Sequence, residues 1–469
     1  MIAHFYLDVD DAGTIQECSA RIRGRDVAFA TASALCEAAR GGTVIDAARL
    51  GVRSGLHEDF RTMDDEQLER AMVVEDAFHH ALGQWVRAAA SKGLRCQLGI
   101  DRLVGMSGGV DSAVALYDSA SATSGRAAGI TLRMWIDPRA PDPDSACCSP
   151  DSVRRARATC HAAGHPHLSI DVRTAFARAV VTPFVQQYAL GNTPNPCVTC
   201  NGGFRLQELV DIADAVGAEH IVTGHYVQRI EDADGVVLVG RGADARKDQS
   251  YMLARLAPSL TKRFLFPLGA TTKPQVRERA AKFGLEQATI ADSQEVCFLG
   301  GGDYRAFLER AGALGASGTI TMHDSGEVVG THDGTARFTL GQRRGLSTHV
   351  DQRALARTGN TDPVFVTAID GATGTVMVGG IDALYRNVVE LEDATSWITD
   401  RPERVTAQLR YSTRVAPPAA SMTWHEDGTA TLRCDTPVHA PAPGQTACLY
   451  DDRGAVVAVG TIRASSLES

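Results

Sequence analysis

No stretch of eighteen or more apolar residues occurs in the 469-residue sequence, so no membrane-spanning helix is expected. Met1 to Asp10 read as a strand-like segment ending in acids, without the basic and apolar regions of a secretory signal. A soluble, cytoplasmic protein with no membrane partner is therefore expected. Positive charge is also in short supply: 47 Lys and Arg stand against 56 Asp and Glu, a formal net charge of -9. Bulk electrostatics give no attraction to nucleic acid, and such a partner would have to be held by local basic patches. The eleven cysteines lack a secretory context, which favours thiol chemistry or metal ligation over structural disulfides. Apolar content is ample at 44%, enough for buried cores in a length worth roughly three domains.

The stretch Leu103-Val104-Gly105-Met106-Ser107-Gly108-Gly109-Val110-Asp111-Ser112 organises the rest. An apolar strand enters, a Ser-Gly-Gly turn follows, and a helix leaves from near Ser112. Gly108 and Gly109 open backbone geometries that bring amides close to phosphate oxygens, and the helix directs its positive end to the same place. Ser107 and Ser112 add hydroxyl donors, and Asp111 could hold Mg2+. A tight turn with no ligand is the plain alternative. No Gly-Lys-Ser/Thr follows, so this is not a Walker A loop. The string resembles the pyrophosphate loop (PP-loop) of the ATP pyrophosphatases, which adenylate a carbonyl or base oxygen. That resemblance implies ATP, with Mg2+, on Met106, Ser107, Gly108, Gly109, Val110, Asp111 and Ser112.

Residues 1–92 read as an α+β unit. Strands are expected over Phe5 to Val9 and Ile15 to Ile22 about an Asp10-Asp11-Ala12-Gly13 turn, with helices over Val27 to Arg40 and Asp64 to Ala90. Asp11-Ala12-Gly13-Thr14-Ile15-Gln16-Glu17, Gly24, Ala28-Phe29-Ala30-Thr31-Ala32-Ser33, Gly42-Thr43-Val44-Ile45-Asp46-Ala47-Ala48 and Val74-Glu75-Asp76-Ala77 resemble the iron-sulfur scaffold fold of the IscU and NifU type. Arg25 and Glu69-Arg70 stand where that family places cluster cysteines and a His-Cys pair, and arginine is no ordinary iron ligand. The expectation is a scaffold shape without cluster ligands, used for docking to a cysteine desulfurase or to another copy of the chain as a homodimer. Cys36, in an Ala-rich helical stretch, reads as a small core residue.

From 97 to 300, strands over 128–135, 167–172 and 218–223 alternate with helices, which implies a doubly wound parallel sheet. Gly191-Asn192-Thr193-Pro194-Asn195-Pro196-Cys197-Val198-Thr199-Cys200-Asn201, Thr223-Gly224-His225-Tyr226, Lys247-Asp248-Gln249-Ser250-Tyr251, Phe266-Pro267-Leu268-Gly269 and Asp292-Ser293-Gln294-Glu295-Val296-Cys297-Phe298 follow in order. They resemble the tRNA-specific 2-thiouridylase family, MnmA or TrmU, from about Leu103 to the C-terminus. The resemblance implies Leu132 and Gly224 at the nucleotide and Cys200 as nucleophile with Cys297 as persulfide carrier. It also implies Asn195 and Pro196 at the target base, and His225, Lys247, Asp248 and Gln249 at tRNA. The family's usual Pro-Asn-Pro-Asp is here Pro-Asn-Pro-Cys. The resulting Cys197-x-x-Cys200 plus distant Cys297 looks like the cluster-dependent tRNA thiolases, which implies a [4Fe-4S] cluster on those thiols. A zinc site on the same ligands and a Cys200/Cys297 persulfide-disulfide relay remain open. Cys147-Cys148 lie in a Pro- and Asp-rich loop.

Residues 301–384 carry short period-two segments and Thr339-Leu340-Gly341-Gln342-Arg343-Arg344-Gly345-Leu346, which matches the family's small central domain; Arg343 and Arg344 suit phosphate contact. Residues 385–469 read as a small β-barrel, and by resemblance Arg410 and Tyr411 touch tRNA. The fold class expected is multidomain α/β plus β. The expected function is ATP-dependent 2-thiolation of the wobble uridine (U34) of tRNA, with tRNAs of the Lys, Glu and Gln type as partners. A small-molecule ligase with the same ATP loop and a non-catalytic sulfur or cluster carrier are the rivals.

Overall fold

The computed structural model describes residues 1–24, 26–52, 63–122, 126–142, 149–289, 296–359, 362–411 and 415–468. Arg25, Cys147, Cys148 and the Asp292-Ser293-Gln294-Glu295 part of the last motif lie outside the described residues.

The chain opens on an antiparallel hairpin of β1 (Ile2–Val9) and β2 (Ile15–Arg23). At its turn the Asp10 carboxylate accepts from the Ala12 and Thr14 amides. The helices α1 (Asp26–Ala39), α2 (Val44–Ala47) and α3 (Asp65–Ser91) follow. α3 starts on a capping box between Asp64 and Gln67, which satisfies two of its orphan amides.

A parallel sheet comes next, made of β3 (Arg102–Gly105), β4 (Ala127–Arg133), β5 (His167–Asp171), β6 (His220–Val222) and β9 (Phe264–Leu265), in spatial order β5-β4-β3-β6-β9. The expected doubly wound parallel sheet is present. The helices α4 (Val110–Ala122), α5 (Pro150–Ala162), α6 (Arg173–Phe176), α7 (Thr182–Ala189), α8 (Pro196–Thr199), α9 (Leu206–Val216), α10 (Pro258–Thr261) and α11 (Lys273–Lys282) belong to it. A separate hairpin of β7 (Val227–Glu231) and β8 (Val237–Arg241), which the sequence reading did not anticipate, stands between β6 and β9. Strand order runs one way from β3 through β4 to β5 and the other way through β6 to β9. A crevice for ligand therefore forms beyond the carboxyl ends of β3 and β6.

The central unit is α12 (Tyr304–Arg310), α13 (Gln352–Arg357) and a sheet of β10 (Gly318–Met322), β11 (Val328–His332), β12 (Phe365–Asp370) and β13 (Thr375–Gly379), ordered β11-β10-β13-β12. The last unit is the expected barrel, closed in the order β14-β17-β16-β15-β18-β19. Its strands are β14 (Tyr385–Ser396), β15 (Arg404–Gln408), β16 (Ala419–Trp424), β17 (Ala430–His439), β18 (Thr446–Tyr450) and β19 (Val456–Ser466).

The front unit is packed onto the parallel sheet. Phe78, Leu82 and Val86 of α3 share one continuous core with Leu168 and Ile170 of β5. Gly83 explains the close fit, because a Cβ there would stand 2.0 Å from the Ser169 carbonyl oxygen. An ion cluster, buried at Arg157 and Glu75, lies beside it: the Arg157 guanidinium of α5 meets Glu75 at 2.7 Å and also Asp76, while Arg154 meets Asp76 at 2.7 Å and the exposed Glu69 at 3.2 Å. Glu69, one of the departures from the scaffold pattern, thus ties α3 to α5. One face of α3 is thus covered by the chain's own sheet.

Candidate active site

The loop after β3 is wired by its own hydroxyls. The Ser107 amide donates to Ser112 Oγ at 3.2 Å, the Gly109 amide to Ser107 Oγ at 3.4 Å, and the Ser112 hydroxyl to the Gly109 carbonyl at 3.0 Å. Gly108 has φ +75°, and a Cβ there would stand 2.6 Å from the Ser152 carbonyl oxygen in the first turn of α5. Both facts demand glycine. Val110 packs into an apolar cluster with Val114, Tyr226 and Leu268, so it anchors α4 from below.

A cavity of about 210 Å³ opens over this loop, lined by Met106, Ser107, Asp111, Ser112, Leu132, Arg205, Gly224, His225 and Gln249 among others. Most of the expected nucleotide residues are therefore gathered at the crevice. His225 and Gln249, which the resemblance assigns to tRNA, stand in the same wall. Gly224 is required by the loop itself, since a Cβ there would lie 2.8 Å from the Asp111 carbonyl carbon and 2.9 Å from the Ser112 nitrogen. Burial, then the nearby Arg205 charge, hold the His225 pKa down to about 3, so its imidazole is neutral at pH 7. Its Nδ1 pairs with Thr223 Oγ1 at 2.8 Å.

The sequence reading missed two cations here. Lys273 Nζ donates to both Asp111 oxygens at 2.8 Å, and the Tyr226 phenol donates to Asp111 Oδ1 at 2.7 Å. A signal existed: Thr272-x-x-Gln275 is a capping box, and a lysine in the first turn of a helix opposes the helix dipole unless an acid faces it. Arg205 reaches into the cavity from a π-helical turn over Cys200–Arg205, with Nη1 3.5 Å from Asn201 Oδ1. No sequence signal marked it.

The cysteine loop leads from the cavity to the barrel. Asn195 Oδ1 caps α8, accepting from the Cys197 amide at 3.1 Å and the Val198 amide at 3.4 Å, and Pro196 is buried at the first helical position. The barrel holds the loop from outside, with the Thr193 amide donating to the Pro443 carbonyl at 2.9 Å and the Gln445 side chain donating to the Thr193 carbonyl. Cys200 is 5% exposed within the core, while Cys197 and Cys297 are half-buried. The segments bearing Cys200 and Cys297 meet on one ring: Phe176 is 5.8 Å from Phe204 and 6.1 Å from Phe298, centroid to centroid. Among the described residues, no group of three or more His, Cys, Asp or Glu is placed to hold a metal ion. The expected convergence of Cys197, Cys200 and Cys297 on a [4Fe-4S] centre is thus not formed by the thiols as placed; Cys200 is buried, and Cys197 lies within electrostatic reach of Tyr411. The donors as placed do not fit the cluster, nor zinc.

On the barrel side, Tyr411 lies within electrostatic reach of Lys247, Asp248 and Cys197, which joins three separate motifs on one face. Asp248 is internally committed, its carboxylate accepting from the Gly242 and Ser250 amides and from the Ser250 hydroxyl. Arg410 donates to the carbonyl of Ala440, a residue with φ +48°, and so buttresses a strained turn. Arg343 and Arg344 are exposed and line a surface hollow of about 790 Å³ together with Arg305, Arg337 and His349.

Family models match the chain over three consecutive regions. They are the tRNA methyl transferase HUP domain at residues 101–301, the tRNA methyl transferase PRC-barrel domain at 305–380 and the aminomethyltransferase beta-barrel domain at 391–462. The tRNA-specific 2-thiouridylase MnmA of Acidithiobacillus ferrooxidans is 40% identical over 353 residues, which cover 74% of this chain and 94% of that protein. The chain belongs to the tRNA-specific 2-thiouridylase family. The 2-thiouridylase of Moorella thermoacetica is 38% identical over 77% of this chain and 98% of its own length. Among solved structures, a U34-tRNA thiolase of Methanococcus maripaludis with its [4Fe-4S] cluster is similar at a TM-score of 0.28 and 17% identity, covering 49% of this chain and 70% of that one. The three 2-thiouridylase regions correspond to the parallel sheet, the central unit and the closed barrel.

Proposed function

We propose that this chain is an ATP-dependent sulfurtransferase that converts the wobble uridine (U34) of tRNA to 2-thiouridine. The carrying observation is the run Asn195–Arg205, which begins at the face shared with Tyr411 and ends inside the cavity over the phosphate loop. A base presented at Asn195 and Pro196 would meet the nucleotide and Cys200 along one segment.

The triphosphate would lie on the amides of residues 107–109 at the start of α4, which favours negative charge. Magnesium arriving on the phosphates needs only one or two protein carboxylates, and Asp111 is the carboxylate present. Its oxygens accept from Lys273 and Tyr226, so Asp111 would hold the metal beside the Lys273 ammonium group, and that ammonium would add positive charge near the phosphates. Attack of the uridine C2 oxygen on the α-phosphate releases pyrophosphate and makes that oxygen a leaving group. Cys297 would carry sulfur as a persulfide, loaded by a persulfide donor such as a cysteine desulfurase relay. Its terminal sulfur attacks C2, AMP leaves with the oxygen, and a C2–S–S–Cys297 adduct forms. The Cys200 thiolate then attacks the Cys297 sulfur. The adduct's S–S bond breaks, its electron pair stays on the C2-bound sulfur, and a Cys200–Cys297 disulfide forms, which a dithiol reductant reopens.

The test is thiolation of an unmodified tRNA transcript with ATP, Mg2+ and a persulfide donor, followed by thiouridine and AMP release. Cys200→Ser should abolish thiouridine while tRNA-dependent AMP release persists. ATP–pyrophosphate exchange without tRNA would favour a small-molecule ligase, and full thiolation by Cys200→Ser would refute the relay. Anaerobic purification decides the cluster reading, which requires about four irons per chain; iron-free, fully active protein excludes it.

A further inference from the structure

The front unit holds a second pair of thiols outside the site above. Cys18 on β2 and Cys36 on α1 lie with their sulfurs 3.1 Å apart, buried at 2% and 8% exposure. A disulfide needs the sulfurs at about 2.05 Å, so roughly an ångström of approach separates this pair from a bond. Both are carried on regular elements that pack face to face around Ile15, Ala32 and Leu35, so the pair is preset by the fold. Arg40 stands at the end of α1 and donates to the Cys18 carbonyl at 3.2 Å, which fixes a guanidinium beside the sulfurs. The small-core-residue reading of Cys36 therefore omits its closest neighbour.

We propose that Cys18 and Cys36 form an oxidisable dithiol, a modification site that takes hydrogen peroxide or a similarly small peroxide and closes to an intramolecular disulfide. The hydrogen bond from Cys18 lowers the Cys36 pKa against the opposing effect of burial, with the Arg40 charge adding to the lowering, whereas the same contact, then burial, raises that of Cys18. Cys36 is thus the attacking thiolate. It takes one peroxide oxygen to become a sulfenic acid while the other oxygen leaves as water. The Cys18 sulfur then attacks the Cys36 sulfur, expelling the second water. The balance is two thiols and one peroxide giving one disulfide and two waters, with both electrons coming from the thiols. Burial limits the reaction to small oxidants. Other buried thiols are poor competitors: burial pushes Cys434 up to about 11 and Cys448 up to about 12.

The experiment treats the intact chain with graded hydrogen peroxide, blocks remaining thiols with N-ethylmaleimide under denaturing conditions, and maps a tryptic digest without reductant. The expected product joins the peptide ending at Arg21 to the peptide ending at Arg40, two hydrogens lighter than their sum, forming before Cys434 or Cys448 is modified and reversed by dithiothreitol. In Cys18→Ser, Cys36 should instead advance to the sulfinic acid. Full alkylation of both thiols at doses that modify Cys434 or Cys448 would overturn the proposal, as would Cys36 bonded to any other cysteine. The wild-type map decides the matter even if the variant does not fold. Cys200 and Cys297 lie in other peptides, so the result is independent of the sulfur-transfer reading.

Discussion

Gly108 and Gly109 are adjacent and identical in sequence, yet alanine at the two positions should behave oppositely. At Gly108 the φ of +75° costs an L-residue about 1–2 kcal/mol, and the added Cβ meets the Ser152 carbonyl at 2.6 Å, a backbone atom at the start of a helix. Overpacking of that kind costs about 1–3 kcal/mol, so the loop should lose roughly 2–5 kcal/mol of local stability. If the displaced loop must be restored before nucleotide binds, ATP affinity falls by roughly 30-fold to several thousand-fold. At Gly109 the nearest atom to an added Cβ is Ser107 Oγ at 3.4 Å, an ordinary contact with a side-chain tip, and φ lies outside the left-handed region. Gly109→Ala should keep local stability within about 1 kcal/mol of wild type. Hydrogen exchange of the Ala113–Leu116 amides reads the stability, and calorimetry with a non-hydrolysable ATP analogue reads the binding. Equal protection in the two variants would refute the reasoning, since sequence alone treats the glycines alike.

Arg157→Met should loosen the packing of α3 on α5 by about 3–5 kcal/mol, because the buried Glu75 loses its counter-ion at 2.7 Å; exchange of the Phe78–Leu82 amides measures it, and unchanged protection contradicts it. The same interface makes wild-type stability pH-dependent. Burial holds the His161 pKa down to about 4 and those of His79 and His167 well below the ordinary value, so the folded chain keeps them neutral while an unfolded chain protonates near 6.5. Stability should therefore fall as pH drops from about 6.5 towards 4, with His161 alone contributing roughly 3 kcal/mol at the acid end; a flat denaturation midpoint across that window would contradict the assignment. In Arg157→Met the fall should be shallower, because Arg157 is one of the charges that depress all three histidines. Replacing Arg343 and Arg344 by Ala should flatten the salt dependence of tRNA binding by about 1–2 in log–log slope, read by filter binding, whereas an unchanged slope would place the phosphates elsewhere.

Much of this chain was legible from local pattern. Period-two strands, a capping box before α3 and the Ser-Gly-Gly turn between β3 and α4 are set by neighbours in sequence, and these elements form near their expected places. The phosphate loop and the closed barrel were legible for the same reason, since glycine spacing and strand alternation act over a few residues. What brings distant residues together was not. No local pattern says that the acid facing Lys273 is Asp111, that Glu69 and Asp76 meet Arg154, or that Cys36 finds Cys18. Those pairings depend on which faces α11, α5 and α1 present after the sheet and its core are assembled. The cysteine pattern shows the limit most sharply: spacing and resemblance made Cys197, Cys200 and Cys297 one set of ligands, but among the described residues no such group is assembled, and Cys200 is buried while Cys197 and Cys297 are half-buried. Residue type and interval set what each side chain can do chemically, while packing of long-range apolar surface decided which of them meet.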